Sequence, residues 1–521
     1  MSSSARVLWK IAVLVSVGFA HSTLYEGSCS SARSGEDWSG ETSLPVGGEQ
    51  FGSERDETPR FNLGTGPESR RAFVREATLH AWRGYAEKAW GTDELQPLSG
   101  RGKNNFGGVG ATIVDSISTL YIMGFKDEFN EAKSWVESEL NFDGVGEVIV
   151  FETVIRILGG LLSAYHLSGE EVFLHKAEDL GRRLQKSFAT KTGFPFPRCD
   201  LNSTSCGFHR DYGRHVLLAE IGSIQLEFRA LSFHSNDQSA AALREHAERV
   251  IEMLKEMGPK ENKGLIPYLL DINSGRFSNG YITLGSPSDS YFEYLLKTWI
   301  QGGRQEDMFR DMFLEVMDGI FAFMRVYVGD GITILQELAG NSQPRKKMDH
   351  FTCYLPGVVT LGLELASLEE RKTWMSFAEN VTSTCFGMYR WSPCGLAAEH
   401  IEVDEDDFLY FSGGYMLRPE VTEALFYMWR STHEPKYREW GWEIFESIER
   451  WCRTDLAFTV LVETNSEDPA QGDSMPSFFI AETLKYLYLL FSDDDRLSLN
   501  NWVFNTEGHP LLITPGLIKT E

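Results

Sequence analysis

One stretch constrains the fold of this chain more than any other: residues 150–165, VFETVIRILGGLLSAY. Phe151, Val154, Ile155, Leu158, Leu161, Leu162 and Tyr165 recur at helical spacing and cover most of the helix circumference. A helix apolar nearly all round is buried on both sides, so it needs a layer of other helices around it. The same stretch carries Glu152 and Arg156, one turn apart. On a surface they would be an ordinary i,i+4 ion pair. In a core, charges are not left without purpose.

The combination of a carboxylate at or near a helix start and an apolar, aromatic run behind it occurs four more times. The segments are AEIGSIQLEF with Glu220, SDSYFEYLL with Asp289, RPEVTEALFYM with Glu420 and AETLKYLYLL with Glu482. Their spacing is nearly even, except that Asp289 to Glu420 spans about two of the other intervals. An acid at a helix N-terminus complements the helix dipole, which accounts for any one of these. It does not account for the apolarity of the helices that follow. Helical periodicity predicts helices near 70–89, 112–122, 126–139, 150–166, 169–186, 216–232 and 236–256. The second half adds 289–302, 305–328, 354–366, 369–388, 418–431, 434–452 and 478–490, seven pairs in all. Short strands are expected only near 265–285 and 330–338. An inner layer of buried helices wrapped by amphipathic ones is an α/α toroid, and one acid per pair at the same end makes a ring of acids.

The chain has 521 residues, long enough for two or three ordinary domains unless it closes on itself as one large unit. With 75 acidic against 49 basic residues, it repels phosphate backbones and excludes nucleic acid as a natural partner. Arg6 and Lys10 precede the apolar run Ile11 to Ala20, and Ala20-x-Ser22 reads as a cleavage site. Residues 1–22 read as a secretory signal peptide, with a short membrane anchor as the alternative. Residues 23–69, rich in Ser, Gly and Glu, read as a stem, and residues 70–521 as the catalytic domain. Seven cysteines (29, 199, 206, 353, 385, 394, 452) include no C-x-x-C pair, which argues against zinc. Asn202-Ser-Thr and Asn380-Val-Thr are glycosylation sequons.

Several carboxylates round a pit with aromatic neighbours suit glycosidic bond hydrolysis, in which one carboxyl protonates the leaving oxygen and another activates water. Arg156, after Glu152, and Arg418, two residues before Glu420, either hold their acids ionised or bind sugar hydroxyls. The segments HAWRGYAEKAWGTDEL (80–95), STLYIMGF (118–125), VFETVIRILGGLLSAYHLSG (150–169), SIQLEFRALS (223–232) and TLGSPSDSYFEYLLK (283–297) then take on a shared meaning. With MDHFTCYLPG (348–357), YMLRPEVTEALFYMWR (415–430), SFFIAETLKYLYLLFS (477–492) and VFNTEGHPL (503–511), they resemble the family 47 glycoside hydrolases, class I α-1,2-mannosidases of the secretory pathway.

The resemblance implies an all-α (α/α)7 barrel with a few short β-hairpins. It implies a calcium-dependent, inverting exo-α-1,2-mannosidase that trims high-mannose N-glycans in the lumen of the ER or Golgi, or outside the cell, as a monomer. Glu152 and Asp289 map to family acids, and Glu420 to the general base. Arg156, Glu220, Arg418, Phe478 and Glu482 fall to substrate binding. Thr506 maps to the calcium ligand, with Glu482 and Glu507 near its shell, and Cys353 pairs with Cys385. Ser118 stands where the family has an acid, and Pro287 where some members have a branch-selecting Arg. The insert 190–215 and the segment 455–474 match poorly. The alternative is a glycan-binding quality-control protein with little turnover.

Overall fold

The computed structural model of the chain describes residues 66–329, 331–340 and 343–515. The expected leader, nearly all of the stem, and Cys29 lie outside the described residues. All fourteen predicted helices are present. They are α1 (Pro67–Lys88), α2 (Ala111–Met123), α3 (Lys126–Ser138), α4 (Val150–Ser168), α5 (Glu171–Leu184), α6 (218–234, broken after Gly222) and α7 (Gln238–Met257). The second half adds α8 (Asp289–Gln301), α9 (Asp307–Gly319), α10 (Leu355–Leu361), α11 (Leu368–Arg390), α12 (Glu420–Thr432), α13 (Pro435–Trp451) and α14 (479–490).

The even-numbered helices form the inner wall. Each packs on the next, from α2 through α4, α6, α8, α10 and α12 to α14, and α14 returns to α2. Thr119 Oγ1 seals that closure by donating to the carbonyl of Ile480 at 3.0 Å. Burial follows from position: every residue of α2 but Tyr121, and every residue of α8 but Asp289, is buried. The odd-numbered helices wrap the outside. In α5 the buried residues Phe173, Leu174, Ala177, Leu180, Gly181 and Leu184 make one stripe. Among the described residues only α4 has the length and apolarity of a membrane span, and it is a buried wall helix. The molecule is therefore an (α/α)7 barrel.

Short antiparallel strands set the entrances of several inner helices. Glu147–Ile149 leads directly into α4 and pairs with Arg198–Asp200, which pairs with Cys206–Gly207. His215–Leu217 leads into α6 in the same way, paired with Leu269–Asp271. The anticipated strands are found at 269–271, 276–277, 332–335 and 337–339; the others, none longer than four residues among the described residues, were not anticipated. One helix ends early. Residues 325–328, expected in the 305–328 helix, form a strand paired with Ile332–Leu335. The run Arg-Val-Tyr-Val is β-branched and aromatic, and pairing across the turn wins over continuation of the helix. Among the described residues two disulfides are present, Cys353–Cys385 and Cys199–Cys206, and Cys394 and Cys452 are free and buried.

The wall is close-packed where α4 meets α2. A Cβ built on Gly160 would lie 2.7 Å from the carbonyl oxygen of Val114. Gly160→Ala should therefore cost roughly 1–3 kcal/mol and lower the melting temperature. Gly146→Ala, in open space, should not. Equal melting temperatures for both variants in a thermal scan would contradict this packing.

Candidate active site

The last strand pair, Trp502–Phe504 with Pro510–Leu512, pushes its turn into the barrel. The turn residues Asn505, Glu507 and His509 are almost fully buried, and Thr506 is half-buried. Five inner helices hold the turn. Asn505 Nδ2 donates to the carbonyl of Ile155 in α4 at 2.9 Å and to Glu227 in α6 at 2.7 Å. The Thr506 N–H donates to Tyr294 Oη of α8 at 3.3 Å. Lys485 of α14 donates to the carbonyl of Gly508 at 2.6 Å. Burial pushes the His509 imidazole down to about 4, so the ring is neutral. Its Nε2–H faces Asp115 of α2 at 3.2 Å, and its Nδ1 accepts from Ser118 at 3.3 Å. Ser118 thus serves as a neutral donor to a neutral ring.

Arg156 is the central cation of this floor. Its Nε donates to Glu152 at 2.7 Å, its Nη1 bonds Glu507 and lies 3.7 Å from Asp115. Its guanidinium stands 5.7 Å from the centroid of Phe478 and 5.0 Å from that of Phe106. Burial works against its charge, but Glu507, Glu152 and Asp115 together raise its pKa well above the usual value. The pair Glu152–Arg156 anticipated from spacing is real, and the helix winds wider by a π turn over Thr153–Leu158 beside it. A second π turn, Phe479–Thr483, carries Glu482. Such turns concentrate at functional sites.

The five acids read from the sequence all come to this end. Glu152, Glu220, Glu420 and Glu482 are buried and Asp289 is half-buried. They are near enough to sense one another. The carboxylate of Glu152 bears on Glu220, Glu420 on Asp289, and both Glu420 and Glu507 on Glu482. Their surroundings pull them apart. Burial, with repulsion from Glu293, Glu420 and Asp349, lifts Asp289 to about 7. Burial lifts Glu220 to about 7 as well. Burial also opposes the charge of Glu420, but His350 Nδ1–H, 2.9 Å away, and the nearby Arg418 outweigh it and hold the carboxyl below its usual range. Tyr389 fixes the other side of the His350 ring at 2.9 Å.

Arg418 helps hold Glu420 ionised, as one of the two expected roles has it, but it does so from a distance. It makes two hydrogen bonds to Glu399, at 2.8 and 2.6 Å, and stacks 4.0 Å from the centroid of Phe351. Glu420 feels its charge without touching it. Sequence reading missed His350, whose contact with Glu420 joins residues 70 apart. It also missed Lys297, which bonds Glu293 one turn before it and Glu423 at 3.3 Å. That pair had a signal: it repeats the Glu152–Arg156 spacing on another helix with an apolar, aromatic run.

Among the described residues no group of three acids, histidines or cysteines could by itself hold a metal ion. Oxygen donors are nevertheless left over at the turn. No hydrogen-bond partner is found among the described residues for the Thr506 hydroxyl or carbonyl, or for the Glu482 carboxylate. Glu482 packs against the turn so closely that a Cβ on Gly508 would lie 2.9 Å from its Cγ. Mutual repulsion with Glu507, added to burial, raises Glu482 well above the usual carboxylate range. Hydroxyl, carbonyl and carboxyl oxygens left without hydrogen-bond donors fit a hard divalent ion that keeps several waters.

A family model described as Glycosyl hydrolase family 47 matches residues 77–513. The chain is 41% identical over 448 residues to a mannosyl-oligosaccharide 1,2-alpha-mannosidase of Arabidopsis thaliana, covering 85% of this chain and 79% of that protein. It is 40% identical over 462 residues to the endoplasmic reticulum mannosyl-oligosaccharide 1,2-alpha-mannosidase of Mus musculus, covering 86% of this chain and 68% of that protein. Among solved structures, the alpha-1,2-mannosidase from Trichoderma reesei superimposes with a TM-score of 0.79 at 27% identity, covering 87% of this chain and all of that one. A D-mannose isomerase, at 9% identity and a TM-score of 0.53, shares the fold alone.

The raised Asp289 carboxyl has a stability consequence of definite sign. Its folded pKa of about 7 lies above the unfolded value of 3.8. The folded state therefore binds the extra proton between those values, and stability falls as pH rises through that window. Asp289→Asn removes the effect. Its melting temperature should rise relative to wild type as pH goes from 4 to 7, with the gap constant above pH 8. A gap independent of pH would mean that Asp289 is not a buried proton holder.

Proposed function

The chain belongs to glycosyl hydrolase family 47, and on that premise we propose that it is a calcium-dependent, inverting exo-α-1,2-mannosidase. Its substrate is a high-mannose N-glycan, cut in the lumen of the secretory pathway. The observation that carries the reading is the opposed tuning of two carboxyls facing one pit. Glu420 is held ionised by His350 and Arg418, and Asp289 keeps a proton near neutral pH. A pair of titratable groups pushed apart in this way divides the roles of base and acid.

In this mechanism Glu420 takes a proton from water, which attacks the anomeric carbon. His350 and Tyr389 keep the carboxylate aimed. The leaving oxygen is protonated from the other side of the pit, by Asp289 or by Glu152 through a water, and Arg156 fixes the position of Glu152. Glu220 lies beyond Glu152 and contacts sugar hydroxyls at the rim. Phe478 gives the terminal sugar an apolar face to rest on, beside the charge of Arg156. Calcium would be held by the hydroxyl and carbonyl of Thr506 and by waters bonded to Glu482 and Glu507. There it would bind and orient sugar hydroxyls. The names of the relatives support the substrate class, and the unpartnered oxygens at the turn support the cation.

Two experiments test this reading. Hydrolysis of a defined high-mannose glycan, followed by proton NMR, should show β-mannose first, since inversion of an α-linkage gives β. Glu420→Gln should lower kcat by at least ~10³-fold, within the range general-base removal produces, while glycan binding persists. First release of the α-anomer, or near-normal turnover by that variant, would sink the mechanism. Separately, chelator should abolish activity and lower the melting temperature, and calcium should restore both, because an ion bound only by the folded state stabilises it by mass action. A melting temperature indifferent to chelator and calcium would remove Thr506 from any metal site.

A further inference from the structure

The segment 190–215, expected to depart from the family pattern, is tied down beside the strand that leads into α4. Its strand Arg198–Asp200 is hydrogen-bonded to Glu147–Ile149, the strand that runs into α4 only three residues before Glu152. The Cys199–Cys206 disulfide closes the next turn. Arg198 and Arg210 both clamp Glu147, at 2.7 and 2.8 Å, so the end of the insert is tied back to the same strand.

Two side chains follow the closed turn. Phe208 is 43% exposed and set edge-on to Phe196 at 5.6 Å. A single exposed aromatic ring means little. This one adjoins His209, whose imidazole reaches down to the acid ring. His209 Nδ1 accepts the Asp211 backbone N–H at 3.2 Å, which leaves a proton on Nε2, and that atom faces Glu220 at 3.8 Å. The ring is itself packed on Tyr212 at 4.7 Å. Adjacent residues thus carry an exposed aromatic ring and an N–H donor that faces Glu220, on backbone that is stapled in place.

We propose that Phe208 and His209 form a sugar-binding subsite for the part of the glycan that stays outside the pit. The ligand is a mannopyranose beyond the scissile bond. Its C–H face rests on Phe208 and a hydroxyl bridges His209 and Glu220. The inference rests on the exo-mannosidase reading above. An enzyme that swallows only the terminal sugar must lay the rest of a branched substrate over the rim. A rigid aromatic plate there selects among branches at small entropic cost.

The test compares two substrates: α-1,2-mannobiose, too short to reach far over the rim, and a branched high-mannose oligosaccharide. Phe208→Ala should lower kcat/KM for the branched glycan roughly 10-fold more than for the disaccharide, the scale of one lost stacking contact. The loss should appear in KM and be rescued by Phe208→Tyr. His209→Ala should alter the order in which branches are cut, read by mass spectrometry of the products. Equal losses on both substrates, or none on either, would overturn the subsite. A wild-type protein inert toward both would instead overturn the mannosidase reading. In that case titration calorimetry with the same glycan decides the subsite, and equal affinities of wild type and Phe208→Ala would overturn it.

Discussion

Everything at the centre of this barrel depends on one buried cation. Arg156 gathers Glu152 from its own helix, Glu507 from the C-terminal turn and Asp115 from the neighbouring wall. Removing one partner from such a cluster leaves charge stranded in a medium that cannot solvate it, at a cost of about 3–5 kcal/mol. The interaction therefore fastens the ends of the fold together. Residues near the start of the catalytic domain, its first acid and its last strands become one unit, and the turn that plugs the barrel cannot leave without exposing unpaired acids.

The same plug explains how a seven-helix ring can be wide at one end and closed at the other. Asn505 is the peg. Its amide donates into α4 and α6, while its oxygen accepts the backbone N–H groups of Glu507 and His509 at 3.0 and 2.8 Å. That ties the turn to the wall and to itself. It also holds the oxygens of Thr506, which have no hydrogen-bond partner among the described residues, next to Glu507. The site is thus assembled from helix N-termini above and a β-turn below, and its precision comes from buried polar pairs that have no alternative partners.

Around this floor the acids differ by what supports them. Glu420 has an imidazole with a tyrosine behind it and an arginine near by, and stays ionised. Asp289 has mostly other carboxyls for company and holds its proton. Lys297, shared by Glu293 and Glu423, keeps that repulsion from spreading through the wall. The arrangement costs stability at neutral pH, as sites built for proton transfer commonly do.

Much of this was legible from the residues in order. The fourteen helices, the two layers, the ring of acids at one end and the Glu152–Arg156 pair follow from local rules: periodicity 3.6, an acid at a helix start, a charge one turn away. The resemblance carried over the Cys353–Cys385 pairing. The Lys297–Glu293 pair was equally readable and obeys the same rule. Other features were decided only when the ring closed. Arg418 lies two residues from Glu420, yet its guanidinium turns to Glu399, on a different segment that offers two oxygens in plane. His350 meets Glu420, and Arg156 meets Glu507 across a separation of 351 residues, without any signal in spacing. Which buried charge faces which is a property of the closed barrel, because those pairs share no helix or turn. The amino-acid order fixed the kinds of groups that had to be buried, and the tertiary structure alone chose their partners, since a desolvated charge accepts whichever opposite charge or donor the packing brings within reach.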